Sequence, residues 1–222
     1  MGVVVVAAGG SLRMGDTDKM LAQIGGSPLL AWAVRPFQQS RLVDQIVVVV
    51  SGENRQQCQT VITGREWSKV SDFCLGGKRR QDSVAAGLAH LERCDWVIVH
   101  DGARPLVTVD LIERGLEAAE ETGAAVAAVP VTDTIKVAGE DGTVLQTPPR
   151  QNLWAVQTPQ VFRIGIITEA YQRANSTVTD DASLVERLGY KVKLYLGSYD
   201  NIKVTTPDDL ALAEVLWRKY GG

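Results

Sequence analysis

The sequence predicts one α/β domain built on a mostly parallel sheet, and three observations carry that prediction. Short, continuous apolar runs rich in β-branched residues recur along the chain. Longer stretches with helical periodicity separate them, and such a β-α-β-α order implies parallel strands joined by right-handed crossovers. No internal repeat, low-complexity tract or linker rich in Pro, Gly and Ser divides the 222 residues, a length that suits a single domain.

In chain order, strands are expected at 3–7, 46–51, 96–100 and 124–129. Runs such as VVVVA and AAVAAV lack the alternation of a half-exposed sheet, so they read as buried on both faces. Helices are expected between them at 28–39, 55–63, 82–92 and 109–121. Thr179-Asp180-Asp181 marks a further helix start, ending at Gly189. Thr206-Pro207-Asp208-Asp209 combines a capping hydroxyl, a proline at the first helical position and acids in the first turn, announcing a terminal helix through about Tyr220. One segment breaks the pattern. Residues 134–147, TIKVAGEDGTVLQT, alternate polar and apolar around Asp141-Gly142, a strong hairpin signal. Such a hairpin is an excursion from the core.

Composition excludes several function classes. A formal charge of −3 supplies no global basic field, so bulk binding of nucleic acid is not expected and any anion site must be local. Cys58, Cys74 and Cys94 are widely spaced with no CxxC pair, which gives neither a disulfide framework nor a zinc cluster and fits the reducing cytoplasm. Met1 leads straight into a strand without a basic leader, and no apolar run approaches the ~20 residues of a membrane span, so a protein neither exported nor embedded is expected.

Four stretches carry candidate chemistry. The first strand runs into AAGGSLRMGDTDK, where small residues let backbone N–H groups approach a ligand. Open parallel sheets collect ligands at this place, beyond the carboxyl ends of their strands. The stretch matches neither GxGxxG nor GxxxxGK[ST], yet Arg13 and Lys19 put a bidentate and a point-charge phosphate ligand in one loop. The second, LGGKRRQDSV at 75–84, sets a Gly-Gly turn and three basic residues before a helix start; it reads either as a solvated basic loop or as exposed amides facing a ligand. The third, VIVHDGARP at 97–105, ends a strand on Asp101, a suitable hard-cation ligand where phosphates supply the other oxygens. His100 is expected to pack or hydrogen-bond beside it, since His90 and His100 are too few for a histidine metal cage. The fourth, SYDNIKVTTPD at 198–208, by itself reads as an edge strand whose Lys203 points to solvent.

Taken together and in order, AAGGSLRM with Lys19, GGKRRQDSV, VHDGARP, VPVTDTIK, QTPQVF, TDDAS and DNIKVTTPDDLALAE resemble the 2-C-methyl-D-erythritol 4-phosphate cytidylyltransferases over nearly the whole chain. Within the first loop Ser11 stands at the family's second glycine, Asp18 at its proline and Met20 at its usual glutamine. The resemblance implies a GT-A-like, Rossmann-like fold as a single domain over 1–222, with 134–150 inserted as a β-arm that builds a homodimer. It implies CTP and a polyol phosphate as substrates and Mg²⁺ as the divalent cation. Arg13, Lys19 and Lys203 would then stabilise the phosphates, and Asp101 would help place the metal. Ala7, Ala8, Gly9, Gly77, Lys78 and Ser83 would hold the cytidine. Arg104, Thr158, Asp200 and Lys203 would face the acceptor, with Thr134 and Arg150 reaching over from the partner subunit.

The chemistry implied needs no protein nucleophile, because the acceptor's own phosphate oxygen attacks the α-phosphorus of CTP and expels pyrophosphate. A phosphate monoester is already largely dianionic at pH 7, which agrees with the lack of a readable Ser-His-Asp or Cys-His set. The obstacle is the meeting of two polyanions, so positioning and cations carry the catalysis. Two rival readings remain from the sequence: a ribitol-5-phosphate cytidylyltransferase, which shares the fold and the cations, and a nucleotide-binding module without turnover.

Overall fold

A seven-stranded mixed sheet with helices on both faces forms the centre of the computed structural model, which describes residues 1–9, 18–174 and 176–219. The strands are β1 (Gly2–Val6), β2 (Gln23–Ile24), β3 (Ser27–Pro28), β4 (Gln45–Val50), β5 (Val70–Leu75), β6 (Trp96–Asp101), β7 (Ala124–Pro130), β8 (Val137–Ala138), β9 (Val144–Gln146), β10 (Trp154–Arg163) and β11 (Lys193–Leu196). The helices are α1 (Leu29–Gln39), α2 (Arg55–Thr63), α3 (Arg80–Ala89), α4 (Val109–Thr122), α5 (Ile164–Gln172), α6 (Ala182–Arg187) and α7 (Pro207–Lys219). The main sheet has the order β11-β7-β10-β6-β1-β4-β5; β10 alone runs antiparallel to its two neighbours.

The expected strands 3–7, 46–51, 96–100 and 124–129 correspond to β1, β4, β6 and β7. Their continuous apolar runs have the burial expected of them. Val3 and Val5 join one core layer with Ile46, Val48 and Ile98, while Val4 joins the opposite layer with Val47, Val49, Val97 and Val99. Successive side chains point to opposite faces, so a run with both faces covered must be apolar throughout.

Three strands of the main sheet, β5, β10 and β11, the short pair β2 and β3, and the helix α5 were not expected. The expected helix at 82–92 is α3, which begins earlier and ends earlier. Its start is set by Asp82, whose carboxylate accepts the Arg79 N–H at 3.1 Å. At its end, Glu92 leaves the helix to donate its N–H to Gln45. The terminal helix α7 starts as expected: Thr206 Oγ1 accepts the Asp209 N–H at 3.2 Å, and the Asp209 carboxylate accepts the Thr206 N–H at 2.9 Å. Tyr220 lies outside the described residues. The helix expected from Thr179-Asp180-Asp181 is α6, followed by Gly189 at φ +87°.

The excursion at 134–147 contains the expected hairpin, with β8 paired antiparallel to β9. The Asp141 carboxylate accepts the Thr143 N–H at 3.0 Å, and Gly142 takes φ +81°, a conformation that favours glycine. No helix among the described residues is long and apolar enough to cross a membrane.

Candidate active site

The carboxyl ends of β1, β4 and β6 lie side by side, and each releases a loop at the same edge of the sheet. Val6 pairs in register with Asp101. Gly102 then donates its N–H to Val6 O at 2.9 Å, Ala7 to Val49 O at 2.7 Å, and Gly76 to Val50 O at 2.9 Å. The loops pack closely enough to require small residues. A Cβ on Gly76 would stand 2.5 Å from the Ala8 Cβ and 2.6 Å from Ser83 Oγ, and one on Gly77 would stand 2.4 Å from the Asp82 Cβ. Ser83 braces this loop from α3: its hydroxyl accepts the Gly77 N–H and donates to Arg79 O, both at 3.2 Å.

Lys19 opens a 3-10 turn, Lys19–Leu21, capped by the Asp18 carboxylate, which accepts the Met20 N–H at 2.8 Å. The Met20 side chain fills the core beneath, and the Lys19 ammonium stands 3.7 Å from where a Gly9 Cβ would lie. Arg13 and Ser11, named from the sequence, lie outside the described residues.

Asp101 is the hub. Its Oδ1 accepts from Arg80 Nε at 3.0 Å, its Oδ2 pairs with Lys203 Nζ at 2.8 Å, and Arg104 Nε stands 3.9 Å from Oδ2. Burial by itself would raise its pKa, but Arg80, then Lys203 and Arg104, outweigh that and hold the carboxyl well below the usual carboxylate range. Arg80 also pairs with the buried Asp181 at 2.8 Å. Asp181 moves the opposite way, its pKa raised chiefly by burial, which Arg80 and the Tyr171 hydroxyl do not offset and to which the nearby Asp101 adds. His100 is fully buried and hydrogen-bonded, as expected, and burial lowers its pKa to about 4, so the imidazole is neutral.

The reading of 198–208 by itself as an edge strand is corrected, while the place that the resemblance implies for Lys203, beside Asp101, agrees with the geometry. Residues 201–205 form no strand; Val204 instead donates its N–H to Ala103 O at 2.8 Å, carrying the segment across the sheet end and laying Lys203 over Asp101. Its ammonium is a site group, not an edge cation.

Two pockets meet at this hub and share Arg80, Asp101 and Lys203. One, of about 230 Å³, brings together Ala8, Gly9, Lys19, Gly77, Lys78 and Ser83. The other, of about 460 Å³, brings in Arg104, Thr158, Gln157, Gln160 and Asp180. Ala7 is set back from both, its carbonyl accepting from Asn54 Nδ2. Asp200 lines neither and pairs with Lys219 at 2.9 Å. Thr134 and Arg150 are exposed at the base of the hairpin, outside both linings, and Arg150 donates to Thr132 O. Arg80 and Asp181 escaped the sequence reading. Their signals were present as the third base of KRR and the second acid of TDD, but neither string reveals that the two side chains meet.

Magnesium can be tested against the donors present. No group of three His, Cys, Asp or Glu side chains that could hold a metal occurs among the described residues, so an all-protein cage is lacking. Asp101 still fits as a lone protein ligand: it is ionised and faces both pockets, and Mg²⁺ favours one or two carboxylates completed by substrate phosphates and water.

Comparison with known proteins adds four findings. A family model described as 2-C-methyl-D-erythritol 4-phosphate cytidylyltransferase matches residues 1–219. A protein of that name from Dehalococcoides mccartyi is 51% identical over 219 residues, covering 99% of this chain and 96% of the relative. Among solved structures, a 4-diphosphocytidyl-2C-methyl-D-erythritol synthase from Anaerococcus prevotii superposes with TM-score 0.86 at 27% identity, covering 98% of this chain and 95% of that one. The 2-C-methyl-D-erythritol 4-phosphate cytidylyltransferase from Thermus thermophilus superposes with TM-score 0.79 at 35% identity, covering 98% of each chain.

Proposed function

Since the chain belongs to the 2-C-methyl-D-erythritol 4-phosphate cytidylyltransferase family, we propose that its two adjoining pockets hold the two substrates of that reaction. The enzyme is a nucleotidyltransferase of isoprenoid biosynthesis. It transfers CMP from CTP to 2-C-methyl-D-erythritol 4-phosphate, releasing pyrophosphate and 4-diphosphocytidyl-2-C-methyl-D-erythritol.

The single observation that carries the assignment of the pockets is the shared wall of Arg80, Asp101 and Lys203. CTP occupies the glycine-lined side, with its cytidine against Ala8, Gly9, Gly77 and Lys78 and its phosphates toward Lys19. The acceptor phosphate occupies the side of Arg104 and Thr158. The oxygen that attacks and the phosphorus that is attacked then meet at the shared wall. Lys203 and Lys19 neutralise the charge that gathers on the equatorial oxygens, a preorganised electrostatic role that needs no nucleophilic side chain. Bound Mg²⁺ would neutralise phosphate charge from the Asp101 side. Neutral, buried His100 supplies no proton to this chemistry.

The hairpin serves as the dimer arm, and Thr134 and Arg150 at its base reach the partner's acceptor pocket; their exposure outside the pockets of their own chain supports this. The enzyme works in the cytoplasm, which its free cysteines Cys58, Cys74 and Cys94 suit. The test is pyrophosphate release from CTP and Mg²⁺ with either 2-C-methyl-D-erythritol 4-phosphate or ribitol 5-phosphate. Release with the first alone is expected. Release only with ribitol 5-phosphate would reassign the acceptor, and CTP binding without release from either would leave a nucleotide-binding module.

A further inference from the structure

His100 lies beneath the site without lining either pocket, and its bonding closes on itself in a way the reaction does not explain. The imidazole is fully buried, with its ring centroid 5.0 Å from that of Phe37. Its Nε2 faces the carbonyl of Arg104 at 3.1 Å. A carbonyl only accepts, so Nε2 carries the proton, and the neutral ring leaves Nδ1 as an acceptor. Thr158 Oγ1, 3.0 Å from Nδ1, therefore donates its hydroxyl proton to the ring and accepts the Asp101 N–H at 3.1 Å with its lone pair.

The remaining bonds complete a ring. Arg104 Nη1 donates to Asn201 O at 2.7 Å, and Asn201 Nδ2 donates to Thr158 O at 2.8 Å. Starting at His100, the path runs through Arg104, Asn201 and Thr158 and back to His100, with every proton assigned one direction. The circuit holds the main chain of Asp101, which lines both pockets, and Arg104 and Thr158, which line the second alone. Two atoms of its members, Arg104 Nε and Asn201 Oδ1, are buried without a hydrogen-bond partner among the described residues, so the four bonds that close the circuit are what hold these side chains in place.

We propose that His100 is a positioning residue for acceptor binding: through Nε2 it fixes the 101–104 turn that aims Arg104, and through Nδ1 it fixes Thr158. This rests on the reading that Arg104 meets the acceptor phosphate. The imidazole touches no substrate; its contribution is to keep two pocket groups where a phosphate can engage both at once, a placement to which binding and rate are sensitive.

Three substitutions test it. His100→Phe keeps an aromatic ring against Phe37 and removes both hydrogen bonds. His100→Gln keeps an amide donor near the Nε2 position, and His100→Asn keeps an acceptor near the Nδ1 position. With the homogeneous variants, KM is measured for CTP and for 2-C-methyl-D-erythritol 4-phosphate, with Tm alongside. His100→Phe is expected to raise the acceptor KM about tenfold or more, the scale of leaving buried polar groups unpaired, while the CTP KM stays within about twofold. His100→Gln is expected to restore more of the acceptor KM than His100→Asn, because the bond to Arg104 is the direct tie.

An acceptor KM within about twofold of the parent in folded His100→Phe would overturn the proposal. So would equal rises in both KM values, which mark general loosening. If His100→Phe does not fold, the amide pair decides: a His100→Gln enzyme no closer to the parent than His100→Asn overturns the proposal. Arg104→Ala separates the underlying reading, since an unchanged acceptor KM in that variant would remove Arg104 from the acceptor whatever His100 does.

Discussion

Around Asp101, one nearly buried carboxylate meets three cations, and the cations differ in what else they hold. Arg80 is locked between two acids and Arg104 is tied to Asn201 O, whereas Lys203 makes its 2.8 Å contact from a half-exposed position. Lys203 is therefore the cation best able to turn from Asp101 toward a phosphate. Lys203→Ala is expected to lower kcat by about 10²–10³-fold, the usual effect of losing one preorganised charge-stabilising donor. Unfolding should change little, since Asp101 keeps Arg80. Steady-state kinetics beside urea unfolding checks this; a near-parental kcat would place Lys203 outside the chemistry. The sequence shows the clustered cations of the first two loops because they are neighbours in the chain. It hides the pairs Lys203–Asp101 and Arg80–Asp181, which the fold brings together from distant positions. Lys203 in particular sits in a β-branched run that reads as an exposed edge.

At the scale of elements, legibility follows burial. Strands covered on both faces must be apolar throughout, so β1, β4, β6 and β7 stand out. The strand β10 does not, because its buried middle is Gln157-Thr158-Pro159-Gln160. Those polar groups are satisfied by bonds such as Gln157 Nε2 to Ser198 O at 2.8 Å, and the proline falls where the pairing with β7 shifts register. The half-exposed edge strand β5, VSDFCL, mixes polar and apolar residues without a clean period, and β11 has only four residues in which to show one. The Gly-Gly loop between β5 and α3 makes a testable contrast. Gly76→Ala puts a methyl group 2.5 Å from the Ala8 Cβ, so the two loops lining the first pocket must separate. The CTP KM is expected to rise about tenfold or more while the acceptor KM holds. Gly26→Ala serves as the control: its Cβ would meet nothing within 4 Å, though at φ +75° the residue carries backbone strain, so it should cost stability without selective loss of CTP. Equal KM values for CTP in the two variants would show that the Gly76 packing does not shape the nucleotide pocket.

For the molecule as a whole, the hairpin needs a surface to pack against. Ile135, Val137, Val144 and Leu145 are 38%, 42%, 59% and 69% exposed, and a two-stranded ribbon is marginal alone in water. Trp154 and Val156, where β10 begins, extend the apolar surface. A second copy of the chain covering it in a closed two-fold dimer would bring Thr134 and Arg150 of each arm to the other's acceptor pocket. That arrangement has a genetic signature. Lys19→Ala and Arg150→Ala homodimers are each expected to be poorly active. In a mixed dimer, one site carries both lesions and the other carries neither. Half of the dimers are mixed at statistical exchange and each has one intact site of two, so activity is expected to recover to about a quarter of the parental value if the sites are independent. The measurement is turnover after subunit exchange, with heterodimer content verified by two affinity tags. Proven heterodimers without recovery would mean that Arg150 serves its own chain's site or that the two sites are strongly coupled, and the shared-site architecture would be withdrawn.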